Sequence, residues 1–181
     1  MSPAIMRQIS SSTAHANPWF TVEHRQYETT TGTRHPYFMV CRPDSVLVAP
    51  RDGDHWVLVE LFRPTMGCAP SLEFPQGGLA ADESPEAAAR REVHEETGLE
   101  LACVRPLTTF AESNGFATSS CHVFVADVCG AGEPDRDPFE AGMRVRRFSW
   151  SQLRELVAAG AVQDSATLAA LTVIGASGDA G

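Results

Sequence analysis

Three glutamates near the middle of the chain have a spacing that favours metal chemistry. Glu92 and Glu96 are four residues apart, and Glu95 lies next to Glu96. On a helix this spacing places the carboxylates on neighbouring positions, where like charges repel each other. A bound cation would relieve that repulsion, and carboxylate oxygens suit a hard cation such as Mg²⁺ or Mn²⁺. The cluster therefore predicts a divalent-cation site.

The residues around these glutamates predict the helix that must carry them. Ser84 followed by Pro85 is typical of a helix start, because the serine oxygen caps free N–H groups and proline is tolerated at the first helical position. Gly98 is a typical helix stop. We therefore expect a helix over residues 85–97. Within it Arg91 precedes Glu95 by four residues and can hold a carboxylate in place.

The wider spacing is more specific than the glutamates alone. The 23 residues from Gly77 to Leu99 contain Glu83 after five intervening residues, and then Arg91 after seven more. Seven such fixed positions match by chance about once in ~10⁸ windows. The stretch fits the signature of the Nudix hydrolases at every position, so the chain resembles that family. The resemblance implies an α/β fold: a Nudix α/β/α sandwich with a mixed sheet.

Flanking segments resemble one branch of the family, the ADP-ribose and ADP-sugar pyrophosphatases, from Trp19 to about Leu171. The segments at 57–64 and 72–78 are similar to the branch's strand ending in an aromatic residue and arginine, and to its approach to the signature. The resemblance implies that Arg63 contacts substrate phosphates. It places three further residues near substrate or metal: Glu73 and Gly78 as substrate-binding residues, and Gln76 as a metal ligand through its backbone carbonyl.

The segment from Trp19 to Tyr37 is similar to N-terminal antiparallel strands of the same branch. In that branch these strands exchange between two subunits and stack aromatic side chains on adenine. The resemblance implies a homodimer and gives Trp19 and Tyr37 the stacking role. The alternative is that both are ordinary core or strand aromatics.

Catalytic roles follow from the resemblance for some residues only. Glu92, Glu95 and Glu96 become Mg²⁺ ligands, with Mn²⁺ possible, and Arg91 orients the glutamates. The general base is open between Glu112 and Glu95, because the loop after the signature has no acid other than Glu112. Glu140 and the segment 164–168 resemble closing elements of the branch, which implies a structural role.

Composition excludes several other classes. All 14 basic residues are arginines and the net charge is -9, so there is no Walker lysine and a nucleic-acid surface is not expected. The five cysteines are odd in number and lack a CxxC pair, which argues against a disulfide framework or a structural zinc site. No apolar run approaches 18 residues and no signal peptide is recognisable. These features predict a cytoplasmic protein with no membrane partner.

The pattern along the chain predicts four regions. Residues 1–17 are expected to form a flexible leader, 18–44 N-terminal strands, 45–174 the hydrolase domain, and 175–181 a flexible tail. Predicted strands lie at 20–28, 37–42, 45–49, 56–61, 101–110, 121–128 and 144–150, with helices at 151–159 and 165–173 after the one at 85–97.

Together these features predict a metal-dependent hydrolase of a nucleoside diphosphate-linked small molecule. The resemblance favours ADP-ribose or another ADP-sugar, giving AMP and a sugar phosphate. Two alternatives stay open at this point. One is a hydrolase of dinucleoside polyphosphates or RNA 5′ ends, and the other is a non-catalytic nucleotide-sugar sensor.

Overall fold

The computed structural model describes residues 5–67, 70–140 and 142–178, apart from the side chain of Phe139. The chain divides into two compact units, Met1–Pro43 with Ala111–Ser120, and Asp44–Phe110 with Cys121–Gly181. Within the described residues the strands are β1 (Met6–Ala16), β2 (Thr21–Thr29), β3 (Arg34–Cys41), β4 (Ser45–Asp52), β5 (His55–Phe62), β6 (Pro70–Glu73), β7 (Gln76–Gly78), β8 (Leu99–Ala111), β9 (Ser120–Ala131) and β10 (Arg144–Ser149). The helices are α1 (Pro85–Thr97), α2 (Trp150–Ala158) and α3 (Ser165–Ser177).

The first unit is a three-stranded antiparallel sheet in the order β1-β2-β3. Its third strand also contacts the loop between β8 and β9, where Val40 and Ala117 form a parallel bridge. The backbone N–H of Val40 donates to the Phe116 carbonyl at 2.9 Å, and the N–H of Thr118 donates to the Val40 carbonyl at 3.0 Å. None of the described residues from 5 to 43 is buried.

The second unit contains a seven-stranded mixed sheet whose main order is β10-β5-β4-β9-β8. Strand β4 is parallel to β9 and antiparallel to β5, but it pairs with β5 only through Arg51 and Asp52, next to their shared turn. Further along, β7 pairs with β4, and β6 pairs with β5. The segment that precedes α1 therefore lies in the gap where β4 and β5 diverge.

Both faces of this sheet are covered by helices. Val46 and Val48 of β4 pack in one hydrophobic cluster with residues of α1. Leu47 and Ala49 pack in a second cluster with residues of α2 and α3. Because successive side chains of a strand point to opposite faces, α1 covers one face and α2 with α3 the other. This arrangement, together with the antiparallel strands of the first unit, confirms the predicted fold class.

Local signals explain the bounds of α1. The Ser84 side chain accepts a hydrogen bond from the Ala87 N–H, Pro85 occupies the first helical position, and Gly98 ends the helix with φ 72°. Two features exclude a side chain at Gly98. Its positive φ strains other residues, and a Cβ would lie 2.3 Å from the Gly132 carbonyl oxygen. The predicted helix over 85–97 is confirmed.

Two segments that the sequence predicts to be flexible contain regular secondary structure. From Met6 the expected leader is strand β1, which pairs with β2 through Ala16. Its run of Ser and Thr has no apolar face and so carries no strand pattern, and the pairing uses backbone groups instead. Helix α3 continues through Ser177, into the expected tail. Residues 1–4 of the leader and 179–181 of the tail lie outside the described residues.

The short strands β6 and β7 are absent from the sequence-based prediction, because strands of four and three residues carry almost no periodicity. No helix among the described residues is long and apolar enough to cross a membrane.

Candidate active site

Arg91 links the signature residues of α1 to the turn before it. Its Nη1 donates to Glu92 Oε1 at 2.7 Å and to Glu95 Oε2 at 3.0 Å. Its Nε and Nη2 donate to the two carboxylate oxygens of Glu83, both at 2.9 Å. Nη2 also donates to the Gly78 carbonyl at 3.1 Å. The predicted orienting role of Arg91 thus has a geometric basis, and Glu83 is the residue that anchors it.

Glu83 serves as a rigid anion for this arginine. Its Oε2 accepts the backbone N–H of Ala80 at 3.1 Å in addition to the arginine. The hydrogen bonds from Arg91 lower the pKa of Glu83 to about 2, because they favour the charged form. The preceding residue, Asp82, has φ 65°, a conformation that asparagine and aspartate tolerate better than most residues.

Gly77 is required because the Glu92 carboxylate lies against its backbone. A Cβ at position 77 would be 2.2 Å from the carboxylate atoms of Glu92. Any larger residue would displace either the glutamate or the strand β7. At Gly78, by contrast, an added Cβ would have no atom within 4 Å. The contact that Gly78 makes in the site is through its carbonyl, which accepts from Arg91.

Glu92 and Glu96 are buried carboxylates, and the charge of Glu92 acts on Glu96. Glu96 is 2% exposed and Glu92 9% exposed. Burial raises the pKa of Glu96 to about 9, and the nearby charges of Glu92 and Glu140 add to the rise. Burial also raises the pKa of Glu92, although its hydrogen bond from Arg91 acts in the opposite direction. Both carboxylates therefore lack sufficient compensating positive charge.

Among the described residues, Glu96 Oε2 is a buried side-chain oxygen without a hydrogen-bond partner. A buried unpaired carboxylate oxygen is costly, and a hard cation is the kind of group that would satisfy it. Within the described ranges, no three His, Cys, Asp or Glu side chains form a metal-binding group by themselves. Mg²⁺ usually takes one or two carboxylates and completes its shell with water and phosphate. The donors present fit such a cation, with Glu92 and Glu96 as the side-chain ligands.

Arg63 and Glu73 form a second charged pair in the gap between β4 and β5. The Nε of Arg63 donates to Glu73 Oε1 at 3.0 Å, and its Nη2 donates to Oε2 at 2.6 Å. Gln76 donates its side-chain Nε2 to Glu73 Oε2 at 2.8 Å. Phe74, which has no exposed surface, anchors the segment in the core. The three predicted residues 63, 73 and 76 are therefore brought together.

Glu140 is a residue to which the sequence assigns a structural role only. It ends a short 3₁₀ turn (Pro138–Glu140) before β10, and its charge contributes to the raised pKa of both Glu92 and Glu96. Arg136 holds the same loop against α1, donating its Nε to the Glu96 carbonyl at 2.8 Å. An irregular Gly/Pro/Asp loop carries no periodic signal, so only the folded chain shows that this acid lies close enough to the two buried glutamates for its charge to affect them.

The remaining predicted site residues belong to the first unit. The Glu112 carboxylate is bound by the Arg42 guanidinium and the Ser119 hydroxyl. The Tyr37 hydroxyl donates to the Gly115 carbonyl at 2.5 Å. Trp19 is 76% exposed. Trp19 is therefore not a core aromatic, and its stacking role stays a prediction together with those of Tyr37 and Glu112.

A family model described as "NUDIX domain" matches residues 41–171. The chain belongs to this family. Its signature is the stretch from Gly77 to Leu99, which builds the site described above.

Several curated relatives carry pyrophosphatase names. The chain is 35% identical over 100 residues to an ADP-ribose pyrophosphatase of Bacillus subtilis, covering 55% of this chain and 54% of that protein. It is 39% identical over 74 residues to an ADP-sugar pyrophosphatase of Mus musculus, covering 41% and 34%. The chain thus spans about half or less of these two relatives. A GDP-mannose pyrophosphatase of Klebsiella pneumoniae is 30% identical over 176 residues, covering 88% of this chain and 87% of that one.

A solved structure described as an "ADP compounds hydrolase" has the same fold. It superposes with a TM-score of 0.84 and covers 96% of this chain and 94% of its own, at 21% sequence identity. At that identity the likeness concerns the fold alone.

Proposed function

We propose that this protein is a Nudix pyrophosphatase that hydrolyses the diphosphate linkage of ADP-ribose or another ADP-sugar, giving AMP and a sugar phosphate. The observation that carries the proposal is the complete signature. Arg91 binds Glu83, Glu92 and Glu95 at once, next to a buried Glu96 with an unsatisfied oxygen. The pyrophosphatase names of the Bacillus and mouse relatives support the reaction type.

GDP-mannose is the second candidate substrate, and a specific observation favours it. The Klebsiella relative named for that substrate is similar over 88% of this chain, whereas the ADP-ribose relative is similar over 55%. Both compounds contain the same diphosphate, so the residues around the signature serve either one. The nucleoside and the sugar are therefore the open part of the proposal.

The proposal includes a divalent cation, Mg²⁺ or Mn²⁺, held by Glu92 and Glu96 with the backbone carbonyl of Gln76. When bound, such a cation neutralises diphosphate charge and lowers the pKa of a bound water. The protein's own residues then have separate tasks. Arg91 holds Glu92 and Glu95 in place. Arg63 binds a phosphate oxygen through the guanidinium N–H groups that are not bound to Glu73.

The general base is proposed among three acids. Glu95 lies on the signature helix, and Glu140 lies close enough to Glu92 and Glu96 for its charge to affect both. Glu112 keeps its predicted role as the third candidate, although its carboxylate is bound to Arg42 and Ser119. The charge of Glu95 acts on Glu92, whereas that of Glu140 acts on both Glu92 and Glu96. We favour Glu140 on that ground, because a base must lie near the water that the site activates.

We also propose a homodimer built through the N-terminal strands, and a cytoplasmic location. A small antiparallel sheet needs a hydrophobic face or packing against another element to be stable. None of the described residues of this sheet is buried, and Trp19 and Phe38 are 76% and 55% exposed. A second copy covering these aromatic side chains would supply the missing packing. Light scattering tests the dimer, and cell fractionation tests the location.

The test of function is a substrate panel with product identification by mass. ADP-ribose, GDP-mannose, other nucleoside diphosphate sugars and dinucleoside polyphosphates are assayed with Mg²⁺, with Mn²⁺ and with EDTA. We expect metal-dependent release of a nucleoside monophosphate and a sugar phosphate. Tight binding of a nucleotide sugar without any product would instead identify a sensor, and preferential cleavage of dinucleoside polyphosphates would contradict the sugar-nucleotide assignment.

A further inference from the structure

The pair formed by Arg63 and Glu73 differs from an ordinary surface ion pair. The Glu73 side chain is only 4% exposed, whereas the Arg63 side chain is 40% exposed. The two carboxylate oxygens accept from Nε and Nη2, the parallel geometry of a bidentate pair. A buried acid therefore holds one edge of an arginine that is itself only partly buried.

Glu73 is itself held rigidly. Gln76 donates to its Oε2 at 2.8 Å. The next residue, Phe74, is buried and donates its backbone N–H to the Thr167 hydroxyl at 2.9 Å, at the start of α3. Burial is the largest single influence and would raise the pKa of Glu73, but the hydrogen bonds and charge of Arg63, together with the side chains of Ser71 and Gln76, outweigh it and the pKa lies below its ordinary value. The carboxylate is thus fixed in place and ionised.

The pairing leaves a defined part of the guanidinium available. Arginine has five N–H donors in one rigid plane. Glu73 accepts from Nε and Nη2, and Nη1 has no hydrogen-bond partner among the described residues. Both the direction of Nη1 and the plane in which it lies are therefore set by the carboxylate of Glu73.

We propose that Glu73 is a positioning residue for phosphate recognition. It makes no contact with substrate, but it fixes the guanidinium plane of Arg63 so that Nη1 is presented to a phosphate oxygen of a nucleoside diphosphate. This inference rests on the proposed function for the identity of the anion. It differs from the direct substrate contact that sequence resemblance implies for Glu73.

Energetics favour this role over a purely structural one. A buried ion pair is weak support for stability, because desolvation of the charges offsets most of their attraction. Fixing a flexible side chain before binding, by contrast, lowers the entropy that binding must overcome. The geometry is therefore better explained by preorganisation of Arg63 than by its contribution to folding.

The test measures ADP binding calorimetrically in EDTA, together with KM and kcat for ADP-ribose with Mg²⁺. Glu73→Gln is compared with Arg63→Ala and with the double variant. We expect Glu73→Gln to weaken ADP binding and raise KM by about tenfold with a smaller change in kcat, as loss of uniform binding requires. In the Arg63→Ala background the Glu73→Gln change should have no further effect.

Glu60→Gln is the matched control. Glu60 lies on the same sheet and pairs with Arg144 and Arg146 at 3.7 and 3.8 Å on the surface, so its loss should leave ADP binding unchanged. Thermal unfolding verifies that each variant is folded. If Glu73→Gln does not fold, Arg63→Lys replaces it, because lysine keeps the charge but lacks the planar donors that Glu73 holds.

The outcomes separate this inference from the proposed function. If no sugar nucleotide is cleaved, but Glu73→Gln still weakens ADP binding only when Arg63 is present, the function fails and the positioning role stands. Unchanged or tighter ADP binding by Glu73→Gln overturns the inference, as does an equal loss in the Arg63→Ala background. Absence of ADP binding by the wild-type protein, or wild-type affinity in Arg63→Lys, overturns it as well.

Discussion

Helix α1 and the N-terminal segment differ in how far their predicted functional side chains are buried. On α1, Glu92 and Glu96 are almost fully buried, and Arg91 binds the Glu92 carboxylate. In the N-terminal segment, Trp19 lies between β1 and β2 and is 76% exposed, and none of the described residues from 5 to 43 is buried. One chain by itself therefore assembles and buries the carboxylates of the signature. If the exposed aromatic side chains recognise a nucleotide, as proposed, an additional surface would have to cover them.

The largest effect is expected from the buried carboxylates. Glu92→Gln and Glu96→Gln keep side-chain shape and helix propensity but remove the charge, so activity should fall at least about a hundredfold while the fold survives. Glu86→Gln, on the exposed side of the same helix, is the control and should stay active. Steady-state assays and circular dichroism measure this. Normal turnover in both buried variants would show that the cation lies elsewhere.

Loss of the general base is expected to rank next, at about a hundredfold in kcat. Glu140→Gln should show this loss together with the disappearance of the fall in kcat at acid pH, because the amide does not accept a proton. Glu95→Gln and Glu112→Gln, measured over the same pH range, are the comparisons. If Glu95→Gln alone loses the pH dependence, the base lies on α1. If Glu112→Gln alone loses it, the loop after β8 contributes the base.

A smaller loss of kcat/KM, about tenfold, is expected from crowding of the Glu92 carboxylate. In Gly77→Ala the new methyl group would lie 2.2 Å from that carboxylate, so the ligand must move. Gly132→Ala is the matched control, since its nearest neighbours are at 3.9 Å. The measurement is kcat/KM as a function of Mg²⁺ concentration. Equal activity of the two alanine variants would mean that Glu92 adapts without cost.

The pH dependence of stability tests the burial of Glu96 in metal-free protein. Burial raises its pKa to about 9 from the ordinary value of 4.5 that applies to the unfolded chain. Between these values the folded state binds a proton that the unfolded state lacks, so the free energy of unfolding falls as pH rises from about 5 to about 9. Glu96→Gln should flatten this slope in urea unfolding with EDTA. An unchanged slope would indicate that Glu96 titrates normally.

The smallest effect concerns the exposed aromatic side chain. Trp19→Ala should raise KM for an ADP-sugar a few-fold, with kcat little changed. This corresponds to the lower end of the range of about 1 to 3 kcal/mol that stacking of one base on an aromatic side chain contributes. Trp19→Phe should preserve KM because it keeps a stacking ring. A monomer by light scattering, with wild-type KM in Trp19→Ala, would show that this residue does not take part in recognition.

Local chemistry makes α1 predictable to the residue. A serine cap, a proline at the first position and a glycine stop act within a few bonds of the helix, so they are visible in the sequence alone. Strands β4 and β5 are predictable for a similar reason, since their buried runs are long. Strand β1 is not, because a polar strand that pairs through its backbone and through polar side chains has no hydrophobic pattern and resembles a flexible leader.

The sequence by itself determined the family signature, the helix that carries it and the arginine-only supply of positive charge. The tertiary structure decided which acids share one environment. Glu140 lies 44 positions after Glu96 in the chain, yet its charge raises the pKa of that buried group. Glu73 meets Arg63 only because β4 and β5 diverge and admit β6 between them. Burial and electrostatic coupling depend on distance in space, and residue spacing along the chain encodes that distance only within a single helix or strand.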